Sequence, residues 1–169
     1  VNDTGSLSAR MVASLRRRPD VQVVVTESVL TRVPAELPPA VVRLRHFPIG
    51  EYRAAFDASV MAAGYNSFHE AMALGLPTLF VPNQSTAKDD QDARTLWAEQ
   101  TGCGLRWDDP GVDAEPRLLA GLDEAVDRLL DRDEQARMRY RMAKLPPAIG
   151  AEEIAAALNA WGSRPVGAG

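Results

Sequence analysis

Cysteine, histidine and aromatic side chains are scarce in this sequence, and it contains no long apolar run. One cysteine, Cys103, stands among 169 residues, which excludes an internal disulfide framework and a zinc site built on thiolates. Flanked by Gly102 and Gly104, it reads as a small buried residue and not as a nucleophile. The two histidines, His46 and His69, have no spaced carboxylate or thiol partners that would complete a metal site, so no metal and no bound cofactor are expected. No stretch approaches the ~18–20 apolar residues of a membrane span. Positive charge is not in excess either: 19 basic against 23 acidic residues give a net charge of -4, which argues against a nucleic-acid partner. Basic residues do gather at Arg16, Arg17 and Arg18 and at Arg137, Arg139, Arg141 and Lys144, where they read as solvated helix faces. Little cysteine and no signal peptide fit a reducing, cytoplasmic setting. The chain opens on Val1, from which a processed piece with polypeptide upstream is expected.

What is present is the material of one soluble domain. A hydrophobic fraction of 46% and a charged fraction of 25% are ordinary for a globular chain, and this length can bury a useful core. The expected domain covers 1–161, with a frayed tail over 162–169. Leu7, Met11, Val12 and Leu15 fall at helical spacing, with Asp3 or Thr4 as candidate N-cap. Val21–Thr26 is a valine-rich run of the kind buried on both faces of a parallel sheet. Further strands are expected at Val41–Arg45, Ser59–Ala63, Thr78–Val81 and Gly104–Trp107. Helices are expected at Glu51–Phe56, from Gly64 to Leu74, and over Lys88–Thr101, Leu118–Leu130, Glu134–Lys144 and Glu152–Trp161. Strands alternating with helices predict an α/β fold: a doubly wound, Rossmann-like parallel sheet with helices on both faces. Ligands of such sheets sit beyond the carboxyl ends of the strands. That rule selects Arg45–Pro48, Gly64–Glu70 and Pro82–Asp92.

In the run Ala63-Gly64-Tyr65-Asn66-Ser67-Phe68-His69-Glu70, a strand meets a glycine and a helix start. Glycine lets backbone N–H groups approach a ligand, and a helix N-terminus attracts phosphate. Ser67-x-x-Glu70 is equally a capping box, in which Glu70 returns to the N-cap amide. Phe68, Ala71 and Met72 form the helix's buried stripe and leave Glu70 at its rim. His69 serves either as a general base or hydrogen-bond donor, or as a polar residue of the first turn; His46 points toward the ligand edge. In the second segment, Asn83 and Gln84 precede Lys88-Asp89-Asp90-Gln91-Asp92. Amides and carboxylates after a strand can hydrogen-bond sugar hydroxyls, but acids here also complement the dipole of the following helix.

Taken in order, Ala63-Gly64-Tyr65-Asn66-Ser67-x-x-Glu70-Ala71, Gly75-Leu76-Pro77, Phe80-Val81-Pro82 and Asp90-Gln91 resemble the C-terminal domain of GT-B glycosyltransferases. The likeness is to the family that includes the N-acetylglucosaminyltransferase of peptidoglycan synthesis, glycosyltransferase family 28, and runs from about Phe47 to Trp107. The resemblance implies half of a two-domain fold, in which this half holds a nucleoside diphosphate sugar, with a UDP-sugar expected. Phe47 and the backbone at Pro48 would meet the nucleobase. Gly64, Tyr65, Asn66 and Ser67 would line the diphosphate with amides, and Glu70 would accept from the ribose hydroxyls. Asp90 and Gln91 would contact the sugar, with Asn83 and Gln84 nearby. The sequence departs from the pattern at Asp90-Gln91, where the peptidoglycan enzyme carries a glutamine pair. The Gly-rich loop after the domain's first strand is also absent, and Asn2-Asp3-Thr4-Gly5 resembles its end, so that strand is expected upstream of Val1.

The resemblance implies transfer of a sugar to an acceptor hydroxyl or amine, independent of metal, with oriented amides stabilising the departing diphosphate. The catalytic base is then expected in an N-terminal acceptor domain of the same protein, leaving this chain inactive alone. The acceptor is unassigned, and peripheral contact with a membrane is compatible with it. Two other functions share the architecture. A sugar-nucleotide 2-epimerase would use Asp90 and His69 as acid and base and would form an epimer without acceptor. A non-catalytic domain would bind nucleotide sugar or a protein without turnover.

Overall fold

The computed structural model describes residues 4–27, 37–46, 49–83, 90–110, 116–146 and 150–162. Its order follows the hydrophobic pattern: α1 (Thr4–Arg16), β1 (Val24–Glu27), β2 (Val42–Arg45), a 3-10 helix (Ile49–Ala55), β3 (Ser59–Met61), α2 (Tyr65–Ala73), β4 (Thr78–Phe80), α3 (Gln91–Thr101), β5 (Leu105–Arg106), α4 (Pro116–Leu130), α5 (Arg132–Met142) and α6 (Gly150–Gly162). Every strand pair among the described residues is parallel, with Val24 opposite Val42, Ser59 opposite Thr78 and Leu79 opposite Leu105. The α/β class and the alternation are as the sequence predicts.

The strands are shorter than expected because polar groups at their ends are already engaged. The Val21 N–H bonds the Arg18 carbonyl, so Val21 still belongs to the turn after α1. The Ala63 carbonyl accepts from Arg94 Nε at 2.8 Å and leaves the ladder. The Gly104 N–H bonds the Ala98 carbonyl, closing α3 before β5 can start. α3 ends on Gly102 in the left-handed region, φ 67°, where glycine carries no Cβ penalty. Thr4, a candidate N-cap, lies inside α1, while Asp3 is outside the described residues. Gly162, assigned to the tail, ends α6, and 163–169 lie outside the description.

The parallel sheet is divided in two. Among the described residues β1-β2 and β3-β4-β5 are separate hydrogen-bonded sheets. Between them runs a cavity of ≈ 2140 Å³, walled by Val23–Thr26, by Ser59–Ala62 and by Leu7, Met11, Val12 and Leu15 of α1. In the doubly wound order 3-2-1-4-5-6 the first strand lies between the second and the fourth. With β1 and β2 taken as second and third, the cavity occupies that place. It explains why Val24, Val25 and Val60 are only half-buried, whereas Leu79 and Phe80 of β4 are fully buried.

The core gathers around β4: Ala63, Phe68 and Ala71 from one side of the chain, Cys103 and Leu105 after α3, and Leu122, Val126, Leu129 and Met138 from α4 and α5. Cys103 is buried, as expected. The basic clusters lie on exposed helix faces, as expected: Arg16, Arg17, Arg137, Arg139, Arg141 and Lys144 are exposed, and only Arg18 among them is half-buried. Arg17 and Arg18 pair with Asp123 of α4, and Arg18 also with Asp127. Arg139 donates to the Asp57 carbonyl at 2.8 Å and Arg141 to the Thr101 carbonyl at 3.0 Å. These contacts are made at the surface, where exposed arginines meet acids and carbonyls that the helices present.

Candidate functional site

α2 begins on Gly64, whose backbone (φ -58°, ψ 145°) turns from strand to helix without any side-chain cap. The first intrahelical bond runs from the Phe68 N–H to the Gly64 carbonyl at 2.9 Å. The amides of Tyr65, Asn66 and Ser67 therefore precede the helical ladder and are the donors a helix start offers to an anion. An added Cβ at Gly64 would meet nothing within 4 Å. Tyr65 and Asn66 are exposed and Ser67 is half-buried. Phe68, Ala71 and Met72 are the buried stripe, as the spacing predicts.

The capping box does not form. Ser67 is the third helical residue, not the N-cap, and Glu70 reaches a different partner. Arg53, from the 3-10 helix, places Nε 3.1 Å from Glu70 Oε2. It also donates from Nη1 to the Ser67 carbonyl at 3.0 Å and from Nη2 to Ser67 Oγ at 3.2 Å. The Arg53 side chain is 9% exposed and that of Glu70 49%. Gly50 packs against the same carboxylate, since a Cβ there would lie 3.6 Å from Glu70 Oε2.

The second segment is held by its own amide. Gln91 is buried, and its Oε1 accepts from the Asn83 N–H at 3.0 Å, fixing the chain that leaves β4. Asp90 is the N-cap of α3, with Oδ1 accepting from the Ala93 N–H at 2.9 Å. Asp92, in the first turn, is paired with Arg106 Nη2 at 2.9 Å. Arg106 also bonds Thr95 Oγ1 and Asp108; its pKa is raised, chiefly through the Asp108 hydrogen bond. The acids at this helix start thus complement the α3 dipole, and one of them also ties α3 to the end of β5.

Gly64, Ser67, Asn83 and Gln91 line one cavity, at the end of the gap between the sheets. Arg53 connects Glu70 to Ser67, and Arg94 connects α3 to the turn before Gly64. Phe47, Pro48 and Gln84 lie outside the described residues. His69 is exposed and lies against Tyr65, with ring centroids 4.5 Å apart and ring planes tilted by 58°. His46 sits 3.4 Å from Glu51 and edge-on to Tyr52. Among the described residues no group of His, Cys, Asp and Glu is arranged to hold a metal ion, and no helix is long and apolar enough to cross a membrane. Arg53, Arg94 and Arg106 were not legible as site-builders. Apart from Asp108, which neighbours Arg106, their partners are remote in sequence, and only the buried position of Arg53 marks it out.

Residues 30–154 match the glycosyltransferase family 28 C-terminal domain. No curated protein matches the sequence. The fold is similar to MurG of Acinetobacter baumannii, with a TM-score of 0.70 and 14% identity over 92% of this chain and 46% of that one. It is also similar to the spinosyn forosaminyltransferase SpnP, with a TM-score of 0.66 and 20% identity over 94% of this chain and 39% of that one. The spinosyn rhamnosyltransferase SpnG, complexed with thymidine diphosphate, gives a TM-score of 0.62 and 16% identity over 90% of this chain and 40% of that one. The chain therefore spans less than half the length of each of these structures.

Proposed function

This chain belongs to the glycosyltransferase family 28 C-terminal domain family, and on that premise we propose that its carboxyl-edge loops hold a nucleoside diphosphate sugar. The observation that carries this reading is the start of α2: an uncapped glycine turn into a helix, open space before it, and a half-exposed carboxylate one turn further on. The Tyr65, Asn66 and Ser67 amides receive the diphosphate, and Glu70 accepts from the ribose. Phe47 and Pro48 adjoin the base. Asn83, Gln84, Asp90 and Gln91 surround the sugar, with Gln91 acting partly through Asn83, whose backbone it fixes.

In this reading the protein is a transferase using a UDP-sugar, with dTDP as the competing nucleotide because SpnG is a relative complexed with thymidine diphosphate. As the sugar C1–oxygen bond lengthens, negative charge grows on the leaving diphosphate. Amides already oriented at a helix start stabilise that charge more than they stabilise the ground state. They supply what a divalent cation would supply elsewhere, so transfer persists in excess EDTA. The acceptor's proton goes to a base in an N-terminal acceptor domain, and this chain alone binds donor without transferring it.

Titration calorimetry of the chain with UDP-, dTDP- and GDP-sugars tests the reading. Binding of one donor, and its weakening by Glu70→Ala, is the expected result; no binding of any by folded protein would sink it.

A further inference from the structure

We propose that Arg53 is a positioning residue for donor recognition, holding both the Glu70 carboxylate and the first turn of α2 in their binding geometry. The proposal rests on the donor site described above and adds a residue that the sequence motifs do not contain.

A guanidinium as buried as that of Arg53 is costly to desolvate unless its donors are satisfied. Three of its polar contacts converge on α2: Nε on Glu70 Oε2, Nη1 on the Ser67 carbonyl and Nη2 on Ser67 Oγ, while Nη1 also meets Met61 Sδ of β3 at 4.0 Å. Glu70 is about half exposed, so the pair is asymmetric, with a fixed cation holding a carboxylate that would otherwise move. A free glutamate side chain loses much rotamer entropy when it binds a ligand. Fixing it beforehand removes that cost from the binding step. One carboxylate oxygen is taken by Arg53, and the other is left for a ribose hydroxyl. The same guanidinium fixes Ser67, the last of the three residues whose amides face the diphosphate. A planar fork can hold both partners at once, whereas an ammonium is a single point of charge.

The test is a double-mutant cycle read by calorimetry with UDP and with dTDP as probes, on the full chain, with circular dichroism confirming the fold of each variant. Arg53→Met and Glu70→Ala are each expected to weaken nucleotide binding about tenfold, the loss of one good ligand hydrogen bond. The double variant should bind no more weakly than the weaker single variant, because both changes remove one arrangement. Arg53→Lys should fall between wild type and Arg53→Met. If Arg53→Met does not fold, the cycle of Arg53→Lys with Glu70→Ala gives the same comparison. Unchanged affinity in the Arg53 variants, or losses that multiply to about a hundredfold in the double variant, would overturn the positioning role while leaving the donor site standing. A wild-type chain that binds neither nucleotide overturns both.

Discussion

At Gly104 an added Cβ would lie 2.8 Å from Phe80 Cε2 and 3.3 Å from the Thr78 carbonyl. Phe80 is fully buried and the carbonyl is backbone, so neither can withdraw easily. Gly104→Ala should therefore cost ~1–3 kcal/mol by overpacking, read as a lower urea midpoint with an unchanged slope. Gly64 is glycine for another reason. Its φ is negative and no atom would meet its Cβ, so neither strain nor packing requires it. Gly64→Ala should lose about 1 kcal/mol of stability, because alanine is a poorer N-cap than glycine, and should also weaken UDP binding by placing a methyl where the diphosphate approaches. Affinity equal to wild type would remove the close backbone approach from the mechanism. Glu70 shows where reading residues in sequence stops. Ser67-x-x-Glu70 has the spacing of a capping box and of a ligand site alike. What decides its geometry is Arg53, fourteen residues upstream of Ser67, a partner that no local pattern announces.

Between elements, charge is used for attachment. Arg17 and Arg18 of α1 meet Asp123 of α4, and Ser14 donates to the same carboxylate. Those bonds, Ser14 foremost and the two arginines after it, lower the Asp123 pKa from 3.8 to about 2 against the opposing effect of burial. A carboxyl whose folded pKa is depressed adds stability above its unfolded pKa and loses it as pH falls toward the folded value. The α1–α4 contact should thus weaken between about pH 4 and pH 2. Because the Asp123 side chain is 42% exposed, solvent screening reduces the contribution to about 1 kcal/mol. Unfolding free energies measured across that range should fall more steeply for wild type than for Asp123→Asn; parallel curves would deny the clamp. The helices themselves were legible because apolar spacing over two or more turns is a strong signal, as with Phe68, Ala71 and Met72. The clamp was not, since an arginine run has the same composition on a solvated face as at an interface.

For the molecule as a whole, alternating valine-rich runs and amphipathic helices were enough to give the parallel α/β class, and the ordered motifs from Ala63 to Gln91 were enough to give the family. The division into two sheets agrees with the resemblance, whose first strand and Gly-rich loop the sequence does not contain and whose order sets that strand between the second and the fourth. Its consequence is an uneven distribution of stability. β4 is paired on both sides, with β3 and β5, and Thr78, Leu79 and Phe80 are fully buried. β1 is paired only with β2 among the described strands, and its other edge faces the cavity. Backbone amides open to exchange through local unfolding where few buried contacts oppose it, and through global unfolding where many do. Native-state hydrogen exchange should accordingly rank the amides of β4 and β5 slowest, near the global unfolding free energy, and those of β1 and β2 faster. The proposed donor loops draw on both regions: the start of α2 follows β3, whereas His46 follows β2. Bound UDP should slow exchange first at Tyr65, Asn66 and Ser67, whose amides would meet it directly. It should slow exchange in β2 only to the extent that the nucleobase bridges the two sheets. Equal protection of β1 and β4 in the unliganded chain would show that the sheets open as one unit and that the cavity between them carries no energetic weight.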